Sequence, residues 1–217
     1  LGIGLAAGIV NGTLIASING RSGEAFIITY GMQVVLGAIA LFPSKGLFIS
    51  GDVHEGLFKT MGDGNMPIYI FLAVAIILQL VISKTQYGRH LCYIGNNMDA
   101  AKMSGLKVKP NRISYYAISG FLAGLGGVVL CSRVTSSNPT AGLGYEMNAI
   151  AAVVVGGNSA SGGSGSIIRT VIGAVVIGIM SNALNILGIS TNYQLTVKGF
   201  LIVLAVALDI ISKKRKS

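Results

Sequence analysis

Charge is scarce in this chain, and negative charge scarcest. Its 217 residues include 7 Asp and Glu, and 11% of side chains are charged. Soluble domains carry roughly 25%. So few charges cannot cover a water-facing surface, which excludes an ordinary soluble domain. The chain has no Trp, 2 His and 2 Cys. Without a Cys/His cluster, no metal site is expected. His54 and His90 fall on opposite membrane sides in the topology below, and no Ser/His/Asp set or carboxylate pair can be assembled. No catalytic residue and no cofactor are therefore expected. Cys92 and Cys131 bracket a helix that separates them by roughly 28 Å, too far for a disulfide. The opening Leu1-Gly2-Ile3 lacks the basic start and cleavage site of a signal peptide. Residue 1 reads as lying in or beside a membrane span, so a fragment is expected.

Apolar residues and glycine make up the balance. The chain is 52% hydrophobic, with mean hydropathy +0.72 and 31 glycines. Packed membrane helices tolerate glycine well. Apolar runs predict spans at residues 1–18, 26–42, 66–83, 113–131, 167–188 and 193–211, with a shorter segment at 147–157. The expected fold is all-α: a polytopic membrane helix bundle with about seven apolar segments, read as one transmembrane domain over 1–217. Eleven residues of helix cover only about 16 Å of a hydrocarbon core about 30 Å thick, so 147–157 reads as a half-helix. Gly4, Gly8 and Gly12, and Gly120 with Gly124, form small-xxx-small stripes that let helix backbones approach.

The formal net charge is +9, and it is concentrated. Residues 84–112 hold Lys84, Arg89, Lys102, Lys107, Lys109 and Arg112 against Asp99 alone, and the tail carries Lys213, Lys214, Arg215 and Lys216. The positive-inside rule places both in the cytoplasm. The 43–65 loop, with Lys45 and Lys59 against Asp52, Glu55 and Asp63, belongs outside. The threading closes if 147–157 counts as one crossing. The basic residues lack aromatic interleaving, so nucleic acid is not an expected partner.

Within the basic insert, Asn97 suits a helix N-cap, Asp99 the first turn, and Gly105 the C′ position. Pro110 limits continuation. A two-turn helix needs packing, either as an ordinary surface helix or against a partner. The Gly/Ser run 156–166 lacks the Lys of a phosphate-binding loop and reads as a hinge. Polar residues inside spans are expensive. Asn148 opens the half-helix, and Asn182 and Asn185 share one helix face. These three are candidates for a translocation path, with interhelical hydrogen bonds as the alternative. Asn11 and Gln33 lie in the first two spans. Arg169 and Asp209 could pair, and Lys198 could snorkel. No chain of buried acids or histidines suggests a proton relay.

Several segments then resemble a known family in order and spacing. Thr85-Gln86-Tyr87-Gly88-Arg89 resembles a T-x-x-G-R entry to the cytoplasmic loop. Ile94-Gly95-Asn96-Asn97 through Ala100-Ala101 and Ser104-Gly105 resembles I-G-G-N-x-x-A-A-x-x-S-G, with Asn96 where a second Gly is usual. Gly144 to Gly157 resembles G-x-E-L-x-A-I-A-A-V-V-x-G-G, and Ser161-Gly162-Gly163-Ser164-Gly165-Ser166 follows it. The family is the permease subunits of bacterial ABC importers for simple sugars, of the ribose/xylose/galactose type. Asn19 to Ala25 departs from its pattern, and its first helices would precede residue 1.

The resemblance implies a role for the insert. In such importers a cytoplasmic coupling helix sits in a groove of the ATPase subunit. Carried over, Gly95, Asn97, Ala100, Ala101, Ser104 and Gly105 would form that contact. The expected partners are an ABC ATPase subunit, a periplasmic or extracellular sugar-binding protein at loops 43–65 and 132–146, a second copy of the chain, and membrane lipid. The implied protein is a multi-pass permease of the bacterial plasma (inner) membrane with a cytoplasmic C-terminus, not itself an enzyme. A self-contained secondary transporter or channel, or a permease for another solute such as branched-chain amino acids, is the alternative.

Overall fold

The computed structural model describes residues 1–18, 20, 22–47, 49–50, 56–159, 162–190, 193–197, 199–201, 203 and 207. The basic tail 213–216, Asp209, Lys198 and His54 lie outside the described residues.

The fold is all-α. The helices are α1 (Gly2–Ser17), α2 (Ser22–Ser44), α3 (Leu57–Gly62), α4 (Met66–Lys84), α5 (Gln86–Asn96), α6 (Met98–Met103), α7 (Val108–Val134), α8 (Tyr145–Val155) and α9 (Ile167–Ile186). Residues 193–197 and 199–201 are also helical. Of these, α2, α4, α7 and α9 are long and apolar enough to cross a membrane, and α1 and α8 are shorter apolar helices. Leu, Ile and Val side chains remain largely exposed along α2, α4 and α9, as suits helices solvated by lipid or by other helices.

Four elements depart from the sequence reading, one of them the short helix α3 within the expected 43–65 loop. A two-residue antiparallel ladder pairs Ile49 with Ser137 and Ser50 with Ser136, β1 against β2. The basic insert contains an additional helix, α5. And α7 begins at Val108 rather than 113. Pro110 is its third residue, where the missing N–H would have had no intrahelical partner, so the proline starts this helix rather than blocking it.

Packing divides the chain into two units: residues 1–74 with 100–142, and residues 75–99 with 143–217. In the first, α1 lies along α7 through the two glycine stripes. A Cβ on Gly120 would come within 2.9 Å of Gly8 Cα, and one on Gly12 within 2.8 Å of Ile113 Cα. Such distances leave room only for hydrogen. The end of α7 is tied to α3 by Ser132 Oγ donating to the Phe58 carbonyl, and Arg133 Nη1 donates to the Gly64 carbonyl at 3.2 Å. In the second unit α8 packs on α9 around Ala151, Ala152 and Ile177. Gly156 meets the Arg169 carbonyl and Gly173 the Ala152 carbonyl so closely that neither site accepts a Cβ.

Candidate functional site

The basic insert is built from two short helices. Thr85 starts the first: its Oγ1 accepts the Gly88 N–H at 3.3 Å, a standard N-cap bond. Gly88 allows the sharp turn out of α4, because a Cβ there would lie 2.5 Å from Ile82 Cα. Helix α5 buries Gly88 and Ile94 and leaves Tyr93, Gly95 and Asn96 exposed.

Helix α6 has the ends the sequence predicts. Asn97 Oδ1 accepts the Asp99 N–H at 3.1 Å, which is N-capping. At the other end Gly105 has φ +80. The Gly105 N–H donates to the Lys102 carbonyl at 3.0 Å and the Leu106 N–H to the Ala101 carbonyl at 3.1 Å. That bond pair is a Schellman motif, which favours glycine at its left-handed position. The result is a six-residue helix with both ends satisfied.

Burial sorts the residues carried over to this segment. Gly95, Asn97, Ala100, Ser104 and Gly105 are exposed, whereas Ala101 is 5% exposed. Ala101 is therefore buried within the chain. Met103 and Tyr93, which the sequence reading passed over, are 89% and 59% exposed. Large apolar side chains exposed beside a capped helix are the signal that would have found them.

Five of the six basic residues of the insert, Lys84, Arg89, Lys102, Lys107 and Lys109, are exposed. Arg112 is different: its Nη2 donates to the Gly20 carbonyl at 2.6 Å, just beyond the end of α1. A cation there complements the partial negative charge of a helix C-terminus.

The candidate path residues are not brought together. Asn148 is half-buried and lines a cleft of about 320 Å³ along α8 and α9 with Tyr145, Ala152, Ile177 and Ser181. Asn182 is exposed and lies outside that lining. Asn185 accepts from Gln194 Nε2 at 2.8 Å, and the same Nε2 reaches the Ile189 carbonyl at 2.9 Å, so this amide closes the end of α9. In the first unit, Asn11 Oδ1 is buried without a hydrogen-bond partner.

Comparison with known proteins decides the family. The family described as "Branched-chain amino acid transport system / permease component" matches residues 1–206. The chain belongs to this family. It is 38% identical over 216 residues to the ribose import permease protein RbsC of Escherichia coli K12, covering 96% of this chain and 66% of that protein. It is 41% identical to RbsC of Bacillus subtilis, covering 85% of this chain and 59% of the relative. It is 39% identical to the D-allose transport system permease protein AlsC of Escherichia coli K12, covering 97% and 65%. The chain thus spans somewhat less than two thirds of the length of these relatives. No solved structure matches it. Family membership and four membrane-length helices make this a multi-pass membrane protein.

Proposed function

We propose that the protein containing this chain is the permease subunit of an ATP-driven monosaccharide importer in a bacterial plasma membrane. The observation that carries the reading is the match to sugar permeases along nearly the whole chain. In this reading 1–217 is one permease domain that works as a homodimer. Hydrolysis takes place in separate ATPase subunits, and a binding protein delivers sugar to the outer face.

Helix α6 with the end of α5 is the ATPase-docking segment. Three features support this. The helix is capped at both ends and so can transmit force without fraying. It exposes small groups at Gly95, Ala100, Ser104 and Gly105 together with Met103. Exposed lysines flank it and attract it to the anionic cytoplasmic membrane face. The loops at 95–96 and 162–163 touch, which supports placing both on the cytoplasmic side and, through the threading, the C-terminal tail with them. Asn148, in the α8–α9 cleft, is the candidate path residue that the packing favours.

The test is reconstitution of the full-length protein in proteoliposomes with an ABC ATPase and a binding protein from the same cell. ATP-dependent uptake of radiolabelled ribose, allose or arabinose, with leucine as a control, is the expected result. Uptake driven by an ion gradient without ATP would instead make the protein a secondary transporter.

A further inference from the structure

In sequence, residues 156–166 read as slack between two helices. In the structure, the described part of this run is held at both ends. Helix α8 closes with a Schellman motif. The Gly157 N–H (φ +82) donates to the Val154 carbonyl at 2.9 Å, and the Asn158 N–H to the Val153 carbonyl at 3.2 Å. The Asn158 side chain then bridges to α9. It is 6% exposed. Its Nδ2 donates to the Val153 carbonyl at 3.2 Å and to Thr170 Oγ1 at 2.9 Å, and its Oδ1 accepts the Ser166 N–H at 2.7 Å. One buried amide thus joins the last turn of α8 to the first turn of α9. With Gly156 and Gly173 seated on the facing carbonyls, the two helices form a close-packed pair.

The same loop rests on the end of α5. Gly162 and Gly163 have φ +87 and +79. A Cβ on Gly163 would lie 2.6 Å from Asn96 Oδ1 and 2.9 Å from Asn96 Cα, and one on Gly95 would lie 2.9 Å from Gly163 N. Gly163 thus meets both the Cα and the side-chain amide of Asn96, and Gly95 meets the Gly163 backbone N. Close-packed surfaces resist compression steeply, so such a contact has little play.

We propose that the described parts of this loop, residues 156–159 and 162–166, form a stiff mechanical link from the end of α5 to the α8–α9 pair. Gly162 and Gly163 are its contact surface, and Asn158 is the positioning residue that fixes the loop to both helices. The inference rests on the docking reading of the 95–105 segment and adds the route beyond it. A displacement of Gly95 and Asn96 pushes Gly163, the Asn158 bridge carries the push, and α8 and α9 move together with the Asn148 cleft between them. Two elements coupled through a direct steric contact need no longer chain of intermediates.

The experiment uses the full-length protein in proteoliposomes with its ATPase and binding protein. It measures uptake of radiolabelled ribose, allose and arabinose per ATP hydrolysed. Gly163→Ala is expected to retain ATPase capture and hydrolysis while uptake per ATP falls about tenfold. Adding Asn96→Ala removes two of the clashing atoms and should recover part of the loss, a non-additivity that a direct contact produces. Asn158→Ala, which leaves the glycine contact in place and cuts the tie to α9, should lower the same ratio. Gly126→Ala on α7, where a Cβ meets nothing within 4 Å, is the control. Wild-type uptake with an unchanged ratio in Gly163→Ala overturns the link alone, as does strict additivity with Asn96→Ala. If Gly163→Ala does not assemble, the Asn158→Ala ratio decides in the same way. Absence of ATP-driven uptake in the wild type removes the docking reading and the link together.

Discussion

Gln79 Oε1 accepts the backbone N–H of Ile167 at 3.0 Å. It also lies 3.2 Å from Ser166 Oγ and 3.4 Å from the Ile168 N–H. A side chain from α4 therefore does for α9 what an N-cap residue usually does within its own helix, and Ser166, at the N-cap position, makes no capping bond itself. The first N–H groups of a helix have no intrahelical acceptor, so this glutamine satisfies donors that would otherwise be orphaned.

The first prediction follows from that bond. Gln79→Leu removes the acceptor and should destabilise the protein by about 1–3 kcal/mol. In detergent its unfolding temperature should fall by several degrees, at roughly 2–4 °C per kcal/mol for a chain of this size. Gln79→Glu keeps an acceptor and places negative charge at a helix N-terminus, so it should unfold near the wild-type temperature. Equal melting of Gln79→Leu and wild type would show that water satisfies these donors.

A second prediction concerns the α1–α7 seam. Gly8 meets Tyr116 and Ala117 with no room for a side chain: a Cβ there would lie 3.0 Å from Ala117 Cα. Gly8→Val should separate the helices and cost about 1–3 kcal/mol or more, because overpacked backbone contacts cannot relax by rotamer changes. Protease susceptibility in α1 should rise. Gly2→Val, at a position with nothing within 4 Å, should leave it unchanged.

Much of this architecture was legible in the sequence, for identifiable reasons. The stripes Gly4-Gly8-Gly12 and Gly120-Gly124 announced a close approach because four-residue spacing puts them on one helix face. Asn97 and Gly105 announced α6 because capping chemistry is local. Helix α5 was legible but passed over: Tyr87, Leu91 and Ile94 recur at helical spacing on one face and Thr85 offers an N-cap, while Arg89, His90 and Asn96 lend the segment the composition of a loop. The Gly/Ser run read as a hinge because nothing local indicates that Asn158 reaches Thr170 and Ser166. Among the candidate path residues, Asn185 was indistinguishable from Asn148 until Gln194 was found bonded to it.

The capped ends of α6 give a third prediction. Asn97→Ala removes the bond to Asp99 and should cost about 1 kcal/mol of local helix stability. Gly105→Ala forces a side chain into a left-handed conformation at a cost of about 1–2 kcal/mol. If α6 docks as a preformed helix, capture of the ATPase should weaken by up to about fivefold for Asn97→Ala and up to about thirtyfold for Gly105→Ala, the ceilings their lost stability sets on the competent population, while the membrane helices melt as in wild type. Unchanged capture by both variants would mean that the helical form of α6 is not what the partner binds.

Within α6, burial separates two roles, and a fourth prediction follows. Met103 is 89% exposed and stands two residues from Ala101, which is 5% exposed. On the docking reading Met103 is an apolar anchor for the ATPase groove. Met103→Asp should leave folding intact, since it replaces an exposed side chain. It should weaken ATPase capture by about tenfold, the loss expected for an anchor worth about 1.4 kcal/mol. Ala101→Arg should act differently. A guanidinium forced into a buried alanine site has neither space nor a counter-charge supplied for it, so the variant should fail to accumulate as folded protein before any partner is added. The two are distinguished by measuring detergent-extracted monodisperse protein first and ATPase binding second. Normal capture by Met103→Asp would remove this face from the interface. Normal folding of Ala101→Arg together with lost capture would return Ala101 to the contact surface.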